Sequence, residues 1–210
     1  MSEVKTERFS TLAKEAHAEF TEKRSVFIGH AAPVKTEKEA LDFIARHRHE
    51  YADATHNVYA YMLKENNIAR YSDAGEPQGT AGIPVLEVIK KRGITDTVIV
   101  VTRYFGGILL GAGGLVRAYG AAASAACDEA GTVEYTTFVE FKVTVSYSDF
   151  NKLQPVLGRF DFKTDSVDYA ENVVMSMAIK SEMYEELKKA VVETTAGRAT
   201  VAETGSRVDF

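Results

Sequence analysis

The run DTVIVVTRYF, residues 96–105, sets four β-prone aliphatic side chains in succession at Val98, Ile99, Val100 and Val101. Successive side chains of a strand point to opposite faces, so an unbroken apolar run is hidden from water only where both faces are covered. The segment predicts a central strand. GGILLGAGG, residues 106–114, breaks it, and LVRAYGAAASAACDEAG follows as an apolar, small-residue helix able to lie close against a sheet, with Gly131 suited to its C-cap. A fold built around strand, glycine turn and close-packed helix is therefore the first expectation.

Upstream, AEFTEKRSVFIGHAAPV (18–34) holds two short β-rich pieces. Thr36 then opens TEKEALDFIARHR, where Thr36 and Glu39 form a capping box and Ala40, Leu41, Phe43 and Ile44 share one helical face. His47 and His49, near the end of this helix, are expected to face solvent and to favour the helix dipole when charged. THNVYAYMLKENNIARYSD (55–73) reads as a hairpin around KENN. The loop RYSDAGEPQGTAG (70–82) follows, then the short helix IPVLEVIKKRG with Pro84 in its first turn and Gly93 at its end.

Beyond Gly131 the periodicities change. VEFKVTVSY alternates strictly, SDFNKLQPVLGRF reads as a helix opened by Ser148 or Asp149, and FKTDSVDYA and VVMSMAIK read as strands. MYEELKKAVVETTAG aligns Met183, Leu187 and Val191 on one face, and RATVAETGSRVDF closes as a strand. The order is βαββαβ, the ferredoxin-like arrangement. The fold class is α+β in two domains, residues 1–131 and 132–210.

Charge narrows the choice of partner. Residues 1–131 carry 16 basic and 17 acidic side chains, and residues 132–210 carry 9 and 13. Broad attraction to nucleic acid is not what this balance supplies, so RNA binding requires a local patch. The N-terminus MSEVKTERFS has no apolar core of a signal peptide, and no run of about 18 apolar residues occurs. A soluble cytoplasmic protein without a membrane partner is expected. Cys127, the single cysteine, sits in AAASAACDEA and reads as a buried helix residue.

Two glycine-bearing loops carry the candidate chemistry. GGILLGAGG joins strand to helix with backbone N–H groups at the helix start, and Arg103 and Arg117 flank it. It serves either as a structural turn or as an anion site. It is neither a Walker A loop nor a dinucleotide fingerprint. In the other loop, Asp73 and Glu76, with His56 before it, have the residue types of acid–base groups or metal ligands. No metal or nucleophile-elbow signature accompanies them. Asp73 bonding its own turn and His56 bonding within the core are the structural alternatives. Tyr104 and Phe105 suit either base stacking or core packing. Arg103 or Arg117 either binds an anion beside Gly113 and Gly114 or pairs with Asp73 or Glu76 and ties the loops together.

ATHNVYAY, SDAGEPQGTAG and above all VIVVTRYFGGILLGAGGLVRAYG resemble the signature of the IMPACT family. The motif falls on His56, Ser72, Asp73, Gly75, Glu76, Pro77, Gly79, Thr80, Gly82, Arg103, Tyr104, Gly106, Gly107, Gly111, Gly113, Gly114, Arg117 and Tyr119. Ala74 stands where many relatives have a second aspartate. The resemblance implies an N-terminal domain similar to the second domain of a small-subunit ribosomal protein and to domain IV of elongation factor G. It implies that the ferredoxin-like part is similar to domain V of that factor. For eukaryotic members it implies translational control through the kinase that responds to amino-acid starvation, and for bacterial members a nucleic-acid or ribosome-related role. No catalytic residue, metal or cofactor is implied. The expected function is thus non-enzymatic binding of RNA or a ribosomal component. The expected binding set is His56, Asp73, Glu76, Arg103, Tyr104, Gly106, Gly107, Gly111, Gly113, Gly114 and Arg117. The rival is an enzyme acting on a phosphorylated small molecule or nucleotide.

Overall fold

A computed structural model describes residues 7–210. The stretch Met1–Thr6, part of the N-terminus read above for a signal peptide, lies outside the described residues. The described residues divide into two compact units, Phe9–Glu134 and residues 7–8 with Tyr135–Phe210.

The first unit is built on an antiparallel sheet in the order β2-β3-β6-β4-β5. Its strands are β2 (Ala16–Glu22), β3 (Ser25–Pro33), β4 (His56–Leu63), β5 (Ile68–Ser72) and β6 (Thr97–Tyr104). A further strand, β1 (Arg8–Leu12), precedes them, and its Leu12 is buried in the same core. The VIVV run occupies the middle of the sheet and is buried on both faces, as its composition requires. One face is covered by α2 (Gly82–Lys91) and α3 (Ala112–Ala130), the other by α1 (Glu37–Glu50). Alanines 118, 122, 123 and 126 let α3 approach closely. A Cβ on Gly29 of β3 would lie 2.3 Å from the Ala122 carbonyl oxygen, so only glycine fits that crossing. Gly131 caps α3 at φ 67°, donating its N–H to the Cys127 carbonyl, and the buried Cys127 thiol is pushed up to about 11 by desolvation.

Three local expectations change. The buried stripe of α1 is Ala40, Phe43, Ile44 and His47, while Leu41 is half exposed, because the helix turns its 40/43/44/47 edge to the sheet. Thr36 Oγ1 accepts from the Glu39 N–H at 3.2 Å, and Glu39 reaches back one residue further than a capping box requires, to the Lys35 N–H at 2.7 Å. His47 does not face solvent. Its Nδ1 donates to the Phe43 carbonyl at 2.9 Å, and its ring packs 4.3 Å from that of His30 on β3. Burial, then the neighbouring His47, hold His30 neutral down to about 3.

In the second unit the elements are β7 (Thr132–Val145), which belongs to it from Tyr135 onward, α4 (Tyr147–Leu157), β8 (Phe162–Tyr169), β9 (Val173–Lys180), α5 (Tyr184–Thr194) and β10 (Thr200–Asp209). The four strands pair antiparallel in the order β10-β7-β9-β8. Val139, Phe141, Val143, Met175 and Met177 form one apolar face with Leu153, Leu187 and Val191 of the helices. The N-cap of α4 is Ser146, not Ser148 or Asp149, and its Oγ accepts from the Asp149 N–H. Asp149 points inward to Arg198, whose Nε and Nη2 donate at 2.9 and 2.8 Å, and this pairing holds the carboxyl well below the usual range.

Candidate functional site

The loop after β5 is organised by Asp73. One carboxylate oxygen accepts from the N–H groups of Ala81 (3.1 Å) and Gly82 (2.8 Å), and the other accepts from Gly79 (2.9 Å). The start of α2 thus has its anion already, supplied by the chain itself. Ala74 at φ 47° and Gly75 at φ 89° reverse the backbone. The consequence is that Glu76 is turned inward.

Glu76 is buried at the junction of four other elements. Its Oε1 accepts from Arg103 Nη1 at 2.6 Å and from the Tyr119 hydroxyl at 2.7 Å. His56 Nε2 lies 3.7 Å from the same oxygen, while His56 Nδ1 donates to the Ala74 carbonyl at 2.9 Å. Arg103 Nη2 donates to Ser25 Oγ at 3.3 Å, and that oxygen also accepts from the Gly106 N–H at 3.2 Å. The guanidinium lies over the rings of Phe27 and Phe105, at 5.4 and 5.5 Å. Burial, then the bond to Glu76, push the Tyr119 hydroxyl far above the usual phenol range. Charges this deeply buried persist only when paired and hydrogen-bonded. The cluster therefore binds β3, β4, β6 and α3 to the 73–82 loop.

The second loop is different. A Cβ on Gly106 would fall 2.0 Å from the Arg24 carbonyl carbon, so the loop backbone lies flush against the β2–β3 turn. Gly107 (φ 81°) and Gly111 (φ 73°) bracket Ile108, Leu109 and Leu110, and Gly111 caps α3 without a side chain. Gly113 and Gly114 lie in the first turn, with Leu110 folded over Gly114. Tyr104 is drawn aside, its hydroxyl donating to Asp53 at 2.9 Å. Beside the loop, a groove of about 290 Å³ runs between the β2–β3 turn and α3, with Lys23 and Arg117 on its rim.

Of the expected binding residues, the structure brings together His56, Glu76 and Arg103, and it holds Gly106 to them through Ser25. Asp73 bonds its own turn. Arg103 donates to Glu76 and Ser25, so its guanidinium is engaged by the buried carboxylate rather than sharing an anion with the N–H groups of Gly113 and Gly114. Arg117 is exposed, whereas Arg103 is buried. Gly107, Gly111, Gly113, Gly114 and Tyr104 belong to the outer loop. Tyr119 was not among the expected site residues, although its position within the motif was the available signal. No group of three or more His, Cys, Asp and Glu among the described residues has metal-holding geometry.

The model of the Impact N-terminal domain matches residues 23–127, the segment that holds both loops and the buried cluster. This chain belongs to the IMPACT family. A second model, described as a domain of unknown function (DUF1949), matches residues 143–198. The IMPACT family member YvyE of Bacillus subtilis is 38% identical over 196 residues, covering 93% of this chain and 90% of YvyE. Protein IMPACT of Bos taurus is 35% identical over 97 residues, covering 43% of this chain and 30% of its own length. A crystal structure of a hypothetical protein superposes with a TM-score of 0.60 at 29% identity, covering 94% of this chain and 98% of that one. Among the described residues no helix is long and apolar enough to cross a membrane.

Proposed function

We propose that this IMPACT family chain is a non-enzymatic binding protein linked to translation, and that it contacts RNA or a ribosomal component through the outer loop of its first unit. One observation carries the reading. Both carboxylates suited to acid–base work are already engaged, Asp73 by three backbone N–H groups and Glu76 by Arg103 and Tyr119. A general base must reach its substrate, and the Glu76 side chain is only 4% exposed. What the outer loop displays instead is side-chain surface.

The βαββαβ order and the β10-β7-β9-β8 sheet support a ferredoxin-like second unit. The likeness of the first unit to a ribosomal protein domain and to elongation factor G domain IV rests on the family resemblance, as does a cytoplasmic setting. Incubation with phosphate esters and nucleotides, beside co-sedimentation with ribosomes with and without nuclease, tests the proposal. Binding without turnover is expected. Repeated multiple turnover by the pure protein overturns it in favour of the small-molecule enzyme.

A further inference from the structure

The outer loop exposes apolar side chains that nothing in the first unit covers. Leu109 is 82% exposed, and Phe105, Val116 and Ile108 are 46%, 42% and 39% exposed. Three of these four are aliphatic, and the one aromatic ring already has the Arg103 guanidinium 5.5 Å from its centre. Stacking on nucleobases calls for free aromatic faces, whereas contiguous exposed aliphatic surface marks contact with protein. The adjoining groove has apolar walls from Phe20, Leu110 and Ala118, with room for one large side chain.

The charges around this surface have one prevailing sign. Lys23, Arg24 and Arg117 are all exposed, and none of the three makes an ion pair among the described residues. Glu22 is the one acidic residue lining the groove. Elsewhere in the first unit Arg46 pairs with Glu15 and Arg92 with Asp128. Unpaired cations beside an apolar lip complement carboxylates that flank an apolar side chain.

We infer that the groove between the β2–β3 turn and α3, with the adjacent Phe105–Leu109 lip, docks an acidic amphipathic segment of a partner protein. The inference rests on the binding reading above and narrows it to protein. An apolar anchor of the segment enters the groove, its neighbours lie on Leu109 and Ile108, and its carboxylates meet Lys23, Arg24 and Arg117.

Fluorescence anisotropy with the full chain tests this, using labelled helical peptides with a leucine face and glutamate flanks, the same peptides with lysine for glutamate, and single-stranded oligouridine. The glutamate peptide is expected to bind more tightly than the lysine peptide by at least about tenfold, and less tightly as salt rises. The Lys23→Glu/Arg117→Glu protein is expected to lose that preference, and Leu109→Ser to weaken binding while leaving the melting temperature unchanged. Equal affinity for both peptides, or no binding of the glutamate peptide, overturns the inference. Oligouridine binding that depends on the same residues overturns it too, but leaves the translation-linked binding reading standing. Turnover in the substrate screen removes that broader reading instead.

Discussion

The loops at residues 73–82 and 105–114 draw on the same vocabulary of glycines, small residues and an adjacent helix start, yet they have opposite roles. In the first, both carboxylates have partners within the chain. Asp73 organises the backbone, and Glu76 meets Arg103 and Tyr119 in the interior. In the second, glycines fit the backbone against the β2–β3 turn and leave Leu109 and its neighbours outside. The contrast teaches that a glycine-rich motif reports backbone constraint, and that the side chains between the glycines decide between a tie and a display.

The strongest way to break this division is to remove Arg103. Arg103→Ala leaves Glu76 buried without its cation and is expected to cost roughly 3–5 kcal/mol in denaturant unfolding. The Glu76→Leu/Arg103→Leu double variant is expected to recover much of that, since an apolar pair leaves no stranded charge. A small loss for Arg103→Ala alone would show that the inner loop is not a tie.

Next in size is Asp73→Ala, which abandons three N–H donors and the cap of α2. A loss of about 1–3 kcal/mol is expected, read from the same unfolding curves. Gly106→Ala should fall in a similar range, because its new methyl group meets the Arg24 backbone rather than a movable side chain. Gly113→Ala, at an exposed first-turn position whose nearest neighbour is the tip of Arg117, is expected to stabilise the protein by up to about 1 kcal/mol. Leu109→Ser should change stability by less than about 0.5 kcal/mol, since its side chain rests on little. Destabilisation by Leu109→Ser comparable to that of Asp73→Ala would erase the distinction between the loops.

Much of this architecture was legible in the chain because it depends on local period. Val98–Val101 could be hidden only in a central strand, and the alanine-rich run after Gly114 could form only a close-packed helix. Where a partner lies far along the chain, the reading stopped. Glu76 and Arg103 are 27 residues apart, and their pairing was one of two alternatives until the fold brought them together. His47 is buried because the His30 ring lies against it, and no periodicity within α1 reports a ring on β3. Leu41 lay within the apolar spacing of α1, but spacing alone does not fix which edge of a stripe meets the sheet. In the outer loop, the ILL between two glycines carries no signal of its exposure, because exposure is a property of the folded surface.

The carboxylate that caps α2 is tethered to the helix it serves by a loop of eight residues. A tether that short confines the internal anion to an effective concentration in the millimolar range or above. A free phosphate or carboxylate arriving from solution meets this seat as a competitor facing an occupant that never diffuses away. The start of α2 is thereby occupied from within, and a soluble anion must displace Asp73 to enter it.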